Sequence, residues 1–337
     1  MSYIVSKYYD SLTEDNVKCL LCPHNCIIKN GNTGICGVRH NIDGSIYAEN
    51  YGKVVAMNMD PVEKKPLYHY YPGHKIFSVG TDGCNLKCIF CQNYLISQSD
   101  YKSLQDVDFY LPQMLVDIAL RQKDNIGIAY TYNEPFIWFE YVCDTAKIAK
   151  NYALKNVMVT NGYINSAPLN ELLQYMDAFN VDLKSFNNNF YKRHTGATLE
   201  PVLNTIKSIH KSGKHLEITN LVVTNLNDNA DEFRNMVKWI CENTGSNTPL
   251  HISRYFPSYK YSAPPTSAET IIEFYHIACE YLDFVYTGNI YLDKGNDTYC
   301  PQCGKTLILR NGYNINLQNI TDDGKCEFCG KQIVISE

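Results

Sequence analysis

The sequence predicts an α/β protein: a partial (β/α)6 barrel with a cysteine-rich segment before it and a module of paired cysteine knuckles after it. Two observations predict this. From Lys75 onward, short apolar, β-branched runs alternate with longer helical patterns, and eleven of the fourteen cysteines fall in three tight clusters, one before, one inside and one after that alternation. Six strands are read at Ile76-Thr81, Ile126-Tyr132, Val157-Thr160, Phe179-Leu183, Leu216-Val223 and Leu250-Arg254. Helical patterns lie at Leu111-Lys123, Ile137-Leu154, Pro168-Met176, Pro201-Ser212, Asp231-Thr244 and Ala268-Leu282. A doubly wound open sheet shares this alternation, so the curvature of the sheet stays open. The division expected is an N-terminal cysteine-rich domain over 1–74, the partial barrel over 75–292 and the knuckle module over 293–337. A strand-like run through Tyr47-Asn58 is placed in the first of these.

Composition narrows the classes of function. A formal charge of -5, spread without long like-charged runs, gives no phosphate-binding surface, so nucleic acid is not an expected partner. No stretch approaches the roughly 20 apolar residues of a membrane span, and Met1 to Asp10 lacks the apolar core of a signal peptide. A cytoplasmic protein with no membrane partner is expected. Clustered cysteines in such a chain point to metal and not to disulfides. The solitary Cys143, Cys241 and Cys279 sit in apolar-periodic segments and are expected to be buried small hydrophobes.

The middle cluster carries the chemistry. Cys84, Cys88 and Cys91 form CxxxCxxC in the loop directly after the first predicted strand, at the end where parallel barrels bind ligands. Three thiolates on a [4Fe-4S] cluster leave one iron open to an outside ligand. A zinc site usually closes with a fourth Cys or His nearby, whereas Cys91 is followed by Gln92-Asn93-Tyr94.

The run Cys84-Asn85-Leu86-Lys87-Cys88-Ile89-Phe90-Cys91 resembles the signature of the radical SAM superfamily. The resemblance implies a radical SAM barrel whose open iron is chelated by the amine and carboxylate of S-adenosylmethionine. Reductive cleavage there yields a 5'-deoxyadenosyl radical that abstracts hydrogen from a substrate. It further implies that Phe90 lies near the adenine and that Glu134, in Thr131-Tyr132-Asn133-Glu134-Pro135, accepts the methionine ammonium. Asn133 stands where a glycine is usual. Thr160-Asn161 and Asp182-Leu183-Lys184 end the next two strands. In glycyl-radical activases, which the arrangement resembles, the Asp-Leu-Lys segment helps bind the methionine carboxylate and ribose. Later strands carry Glu217-Ile218-Thr219-Asn220 and His251-Ile252-Ser253-Arg254. Alternation puts His251 and Arg254 on opposite faces, with His251 taken as the cofactor contact and Arg254 as a rim or substrate residue.

Two flanking cysteine sets remain. Cys300, Cys303, Cys326 and Cys329 read as two knuckles of a zinc-ribbon-like module closing around structural zinc. Cys19, Cys22, Cys26 and Cys36, with His24 beside them, suit zinc or an auxiliary iron-sulfur cluster, and spacing does not choose between them. The head set, Asp60-Pro61-Val62-Glu63-Lys64-Lys65-Pro66-Leu67-Tyr68-His69, Tyr132-Asn133-Glu134-Pro135, His251 to Pro257 and the tail occur in one order that resembles the AmmeMemoRadiSam-system radical SAM enzyme, similar to pyruvate formate-lyase activating enzymes. This implies MEMO-like and AMMECR-like partners and an electron donor such as flavodoxin or ferredoxin, with no substrate assigned. Lys64, Lys65, Tyr68 and His69 are candidates for the substrate side, or for packing the head onto the barrel. The alternatives are a glycyl-radical-enzyme activase and a non-catalytic zinc-binding protein.

Overall fold

A computed structural model describes residues 4–292 and 294–336. The expected knuckle module starts at 293 and ends at 337, both outside the described residues. Its centre is an eight-stranded sheet: β1 (Ala56–Pro61), β2 (Lys75–Gly80), β3 (Asn125–Tyr130), β4 (Lys155–Thr160), β5 (Ala178–Asp182), β6 (His215–Val222), β7 (Leu250–Arg254) and β8 (Val285–Gly288). These neighbour one another in chain order. β2 to β8 are parallel, and β1 is antiparallel to β2 at one edge.

Crossovers between parallel neighbours need connecting elements, here helices, which the apolar spacing supplies. They are α1 (Pro112–Arg121), α2 (Phe139–Asn151), α3 (Ser166–Leu172), α4 (Leu199–Lys211), α5 (Ala230–Thr244) and α6 (Ala268–Cys279). In α4, Leu199, Val202, Ile206 and Ile209 recur every three or four residues, and all are buried against the sheet. Side-chain caps start α5 and α6, where Asn229 accepts from the Glu232 amide and Ser267 from the Thr270 amide. Gly127 is required between β3 and β4: a Cβ there would meet the Lys155 carbonyl oxygen at 2.0 Å.

All six strands read from the sequence form, and two more join them. β1 comes from the segment assigned to the head, so the sheet reaches across position 74, and the four-residue β8 was not read at all. Of the solitary cysteines, Cys143 is buried as expected, Cys241 is half-buried, and Cys279 is exposed because it closes the last turn of α6.

The amino end of the barrel is shut by the segment after β1. Glu217, fully buried on β6, accepts from the amides of Tyr68 (3.0 Å) and His69 (2.7 Å) and bonds the rings of His215 (2.9 Å) and His251 (2.6 Å). Burial pushes its carboxyl up, but the bonds from His215 and His251 outweigh this and hold it well below the usual range. His69 also reaches the Ile333 carbonyl and the Tyr286 hydroxyl, each at 2.7 Å. Arg310 donates to the Tyr68 carbonyl at 2.9 Å. Tyr68 and His69 therefore join floor, barrel and tail. Lys64 and Lys65 both pair with Asp60, at 2.9 and 2.6 Å. Of the two roles weighed, Tyr68 and His69 take the packing one, while Lys64 and Lys65 are held by Asp60 within their own segment.

Candidate active site

At the carboxyl end of the sheet the loop after β2 carries Cys84 and Cys88, both buried, and the half-buried Cys91. The loop is pinned on several sides. The amides of Lys87 and Ile89 donate to the carbonyls of Thr195 (2.7 Å) and His194 (3.1 Å), and the Lys260 amide donates to Ile89 O at 2.9 Å. Ser258 Oγ donates to the Cys91 carbonyl at 3.0 Å, and Ser97 Oγ lies 3.1 Å from Cys91 Sγ. The Leu86 amide donates to Cys84 Sγ at 3.3 Å. Burial, and after it the Glu134 charge, pushes the Cys84 thiol well up; burial lifts Cys88 to about 11 despite the opposing Lys184 charge. A bound metal would favour the anionic form of these buried sulfurs.

Glu134 lies in the turn after β3 and is fully buried. Its carboxylate accepts from Thr160 Oγ1 (2.6 Å), the Asn161 amide (2.7 Å) and the Phe136 amide (2.9 Å). No cationic side chain pairs with it among the described residues, and burial outweighs its three donors, leaving it pushed up to about 7. A buried acid so placed is an acceptor for a cationic or N–H-bearing ligand.

The remaining predicted residues divide by role. Asn133 spends its amide on the cluster loop, donating to the Gly83 carbonyl (2.8 Å) and accepting from the Thr81 amide (3.3 Å). Asn161 donates to Asn85 Oδ1 at 2.9 Å and lies 3.8 Å from Cys84 Sγ. Both hold the loop in place. Asp182 and Lys184 pair at 2.9 Å; burial disfavours the lysine's charge, but Asp182 and then Cys88 outweigh it and hold its pKa up. Phe90 is buried, with its ring centroid 5.9 Å from that of Phe190. His251 faces inward in register with Thr219, which is in register with Asp182, but its Nε2 is held by Glu217 and its ring meets those of Tyr68 and Tyr286. Arg254 ends β7 half-buried, with Nε bonded to the Thr266 carbonyl at 2.6 Å.

Glu217, read as a strand-end group, is the third residue of an eight-residue strand and sits below the site. Sequence reasoning also missed Asn85, which joins the cluster loop to Asn161 and to the Tyr163 carbonyl (2.7 Å), and Ser97 and Ser258, which hold Cys91. Position directly after the first cysteine was a usable signal for Asn85. Nothing local marked the two serines.

The donor set fits an iron-sulfur cluster with S-adenosylmethionine. Three thiols share one loop, a carboxylate without a cationic partner stands beside Cys84, and the buried Thr81 Oγ1, just before the loop, has no partner among the described residues. The tail fits a single ion: the four sulfurs of Cys300, Cys303, Cys326 and Cys329 lie within 4.8 Å of one another, with 3.4 Å from Cys300 to Cys329 and 3.6 Å from Cys303 to Cys326. No helix among the described residues is long and apolar enough to cross a membrane.

Fold and site together define an α/β-barrel enzyme whose chemistry is staged by three cysteines in the one loop after β2. Residues 78–240 match the model of the Radical SAM superfamily, so the chain carries a radical SAM domain. It is 43% identical to an uncharacterised protein of Methanocaldococcus jannaschii, MJ0808, over 97% of this chain and 98% of that one. It is also similar to the pyruvate formate-lyase-activating enzyme of Clostridium pasteurianum, with 23% identity over 47% of this chain and 66% of that enzyme. Among solved structures, a radical SAM methyltransferase from Sphaerobacter thermophilus shares the fold at a TM-score of 0.51 and 12% identity, over 85% of this chain and 76% of that one.

Proposed function

We propose that this radical SAM enzyme is of the AmmeMemoRadiSam type, working with MEMO-like and AMMECR-like partners and drawing electrons from a flavodoxin- or ferredoxin-class donor in the cytoplasm. The observation that carries the cofactor reading is Glu134: a buried, cation-free carboxylate beside the three-thiol loop. When bound, the cluster and S-adenosylmethionine supply a 5'-deoxyadenosyl radical for hydrogen abstraction. The chain's own residues position that chemistry. Glu134 takes N–H groups of the methionyl end, Lys184 offers its cation to the carboxylate, Asp182 accepts from ribose, and Phe90 packs near the adenine. His251 has Nδ1 left to offer while Nε2 stays on Glu217. Asn133, Asn161 and Thr160 keep the cluster loop and Glu134 in register. Structural zinc belongs in the tail knuckles.

A glycyl-radical activase is the second reading, supported by similarity to a pyruvate formate-lyase-activating enzyme over about half of the chain. The test is anaerobic: reduced, cluster-loaded protein is incubated with S-adenosylmethionine and each candidate partner. 5'-Deoxyadenosine formed without a glycyl radical supports the first reading, and a glycine-centred paramagnetic signal on a partner supports the second. Absence of 5'-deoxyadenosine in every mixture contradicts both.

A further inference from the structure

We propose that Cys19, Cys22, Cys26 and Cys36 hold a second four-iron cluster, which passes electrons to the cluster held by Cys84, Cys88 and Cys91. The inference rests on the presence of that barrel cluster, and its test separates the two.

The tail serves as a yardstick for a single ion. Zinc about 2.3 Å from each of four sulfurs requires them to lie roughly 3.8 Å apart, as the tail sulfurs do. In a cubane each thiolate sits on its own iron, which spreads the set more widely. Among the described residues, the tail is the only group of three or more ligand atoms gathered within 4.8 Å. The head cysteines are nonetheless neighbours: the Cys19 amide donates to the Cys26 carbonyl at 2.9 Å, and Cys22 lies close enough to Cys36, Cys19 and Cys26 for their charges to act on it. Like the barrel thiols, and unlike those of the tail, they are not gathered within 4.8 Å.

The head loop is also built for thiolates. Cys19, Cys22 and Cys36 are buried and Cys26 is half-buried. The backbone N–H of Leu21 lies towards the Cys19 sulfur and that of His24 towards the Cys22 sulfur, each opposing the upward push of burial on the thiol. Each N–H lies two residues after its cysteine, the relation of Leu86 to Cys84. The Ile35 N–H lies towards the Cys26 sulfur in the same way. Such N–H groups offset thiolate charge in a buried site. Four cysteines leave no open iron, so the site suits electron transfer and not substrate binding.

Position gives the cluster its partner. The head loop touches both residues that flank Cys84. On one side, the Cys36 carbonyl oxygen lies 2.6 Å from where a Cβ on Gly83 would stand, an approach that only glycine, at φ 93°, permits. On the other, His24 Nε2 donates to the Asn85 carbonyl at 2.7 Å, and Asn85 is bonded through Asn161 to the Cys84 environment. That bond also removes His24 Nε2 from metal ligation. Asn165 fastens the first knuckle to the same end of the barrel, through the Leu20 carbonyl (2.7 Å) and the Leu21 carbonyl (3.1 Å). The transfer moves one electron and no proton. A reduced low-potential iron-sulfur or flavin carrier takes the head cluster from its 2+ to its 1+ core, and the head cluster returns to 2+ as the barrel cluster is reduced.

The test uses full-length protein reconstituted without air, assayed for iron, acid-labile sulfide and zinc. Two four-iron clusters and one tail ion predict about eight irons and about one zinc per chain. Replacing Cys84, Cys88 and Cys91 together by alanine should leave about four irons, seen by Mössbauer spectroscopy as a four-iron centre. Cys22→Ser with Cys26→Ser should also leave about four. In that variant a protein carrier should reduce the barrel cluster at least tenfold more slowly, while dithionite reduces it at the wild-type rate. About four irons with about two zincs in the wild type, or a folded alanine triple variant without iron, overturns the second cluster and leaves the barrel cluster standing. Equal reduction by the carrier in both proteins overturns the relay. If the head double variant does not fold, the alanine triple variant still decides the cluster, because its head loop is untouched.

Discussion

Glu134 should make cofactor binding pH-dependent in a calculable way. Its carboxyl is pushed up to about 7 in the ligand-free protein by burial, against the opposing bonds from Thr160, Asn161 and Phe136. The raised value means that folding favours the protonated acid. Through this group, apo-protein stability is greatest below the ordinary carboxylate value of 4.5 and falls as pH rises towards about 7. A ligand that donates N–H bonds favours the ionised acid, so affinity for S-adenosylmethionine should move the opposite way. One unit below the folded pKa only about a tenth of the acid is ionised, and affinity should be about tenfold below its plateau, a cost of about 1.4 kcal/mol. Glu134→Gln removes the charge and should weaken binding by about 2 kcal/mol, roughly 30-fold, and flatten the pH profile. Anaerobic titration calorimetry on cluster-loaded protein, in buffers of differing ionisation enthalpy, reads both affinity and proton release. The difference between wild type and Glu134→Gln cancels the ligand's own amino titration. A difference that does not change between about pH 6 and about pH 8, with no proton released to buffer, refutes the reasoning.

Three other outcomes follow from the buried polar groups and the tail. Glu217 is held well below its ordinary pKa, so the stability it contributes is present above about 4.5 and lost as pH falls through its folded value. Glu217→Gln should cost about 2–4 kcal/mol at neutral pH and blunt acid unfolding, followed by circular dichroism. Arg39, buried against Glu140 at 2.7 Å and donating to Ser6 and the Ile137 carbonyl, joins head to barrel; Arg39→Ala should cost about 3–5 kcal/mol in thermal unfolding. Cys303→Ser with Cys329→Ser should abolish tail metal, measured by mass spectrometry, while leaving the iron content unchanged.

The sequence made the barrel legible because helix and strand periods differ: α4 shows its apolar face every three or four residues, and β2 to β7 are β-branched and bounded by polar turns. β8 was missed because four residues are too few to show a period. β1 reads Ala-Met-Asn-Met-Asp-Pro, without the β-branched residues that mark a strand. The cysteine loop and Glu134 were legible from spacing and from their place after strands. Partner choice among polar groups was not. That Asn133 would stitch the cluster loop, that His251 would spend Nε2 on Glu217, and that Ser258 would hold Cys91 from 167 positions away are consequences of tertiary packing.

The central claim is an iron with no protein sulfur of its own, held among residues 84, 88 and 91. Mössbauer spectroscopy of iron-57-loaded, air-free protein, with and without S-adenosylmethionine, tests it most directly. The account predicts a four-iron centre in which one iron changes its spectrum when the ligand is added, and loss of that response in Cys88→Ala while tail metal is retained. A spectrum in which no iron responds to S-adenosylmethionine, or whose response survives Cys88→Ala, contradicts the account.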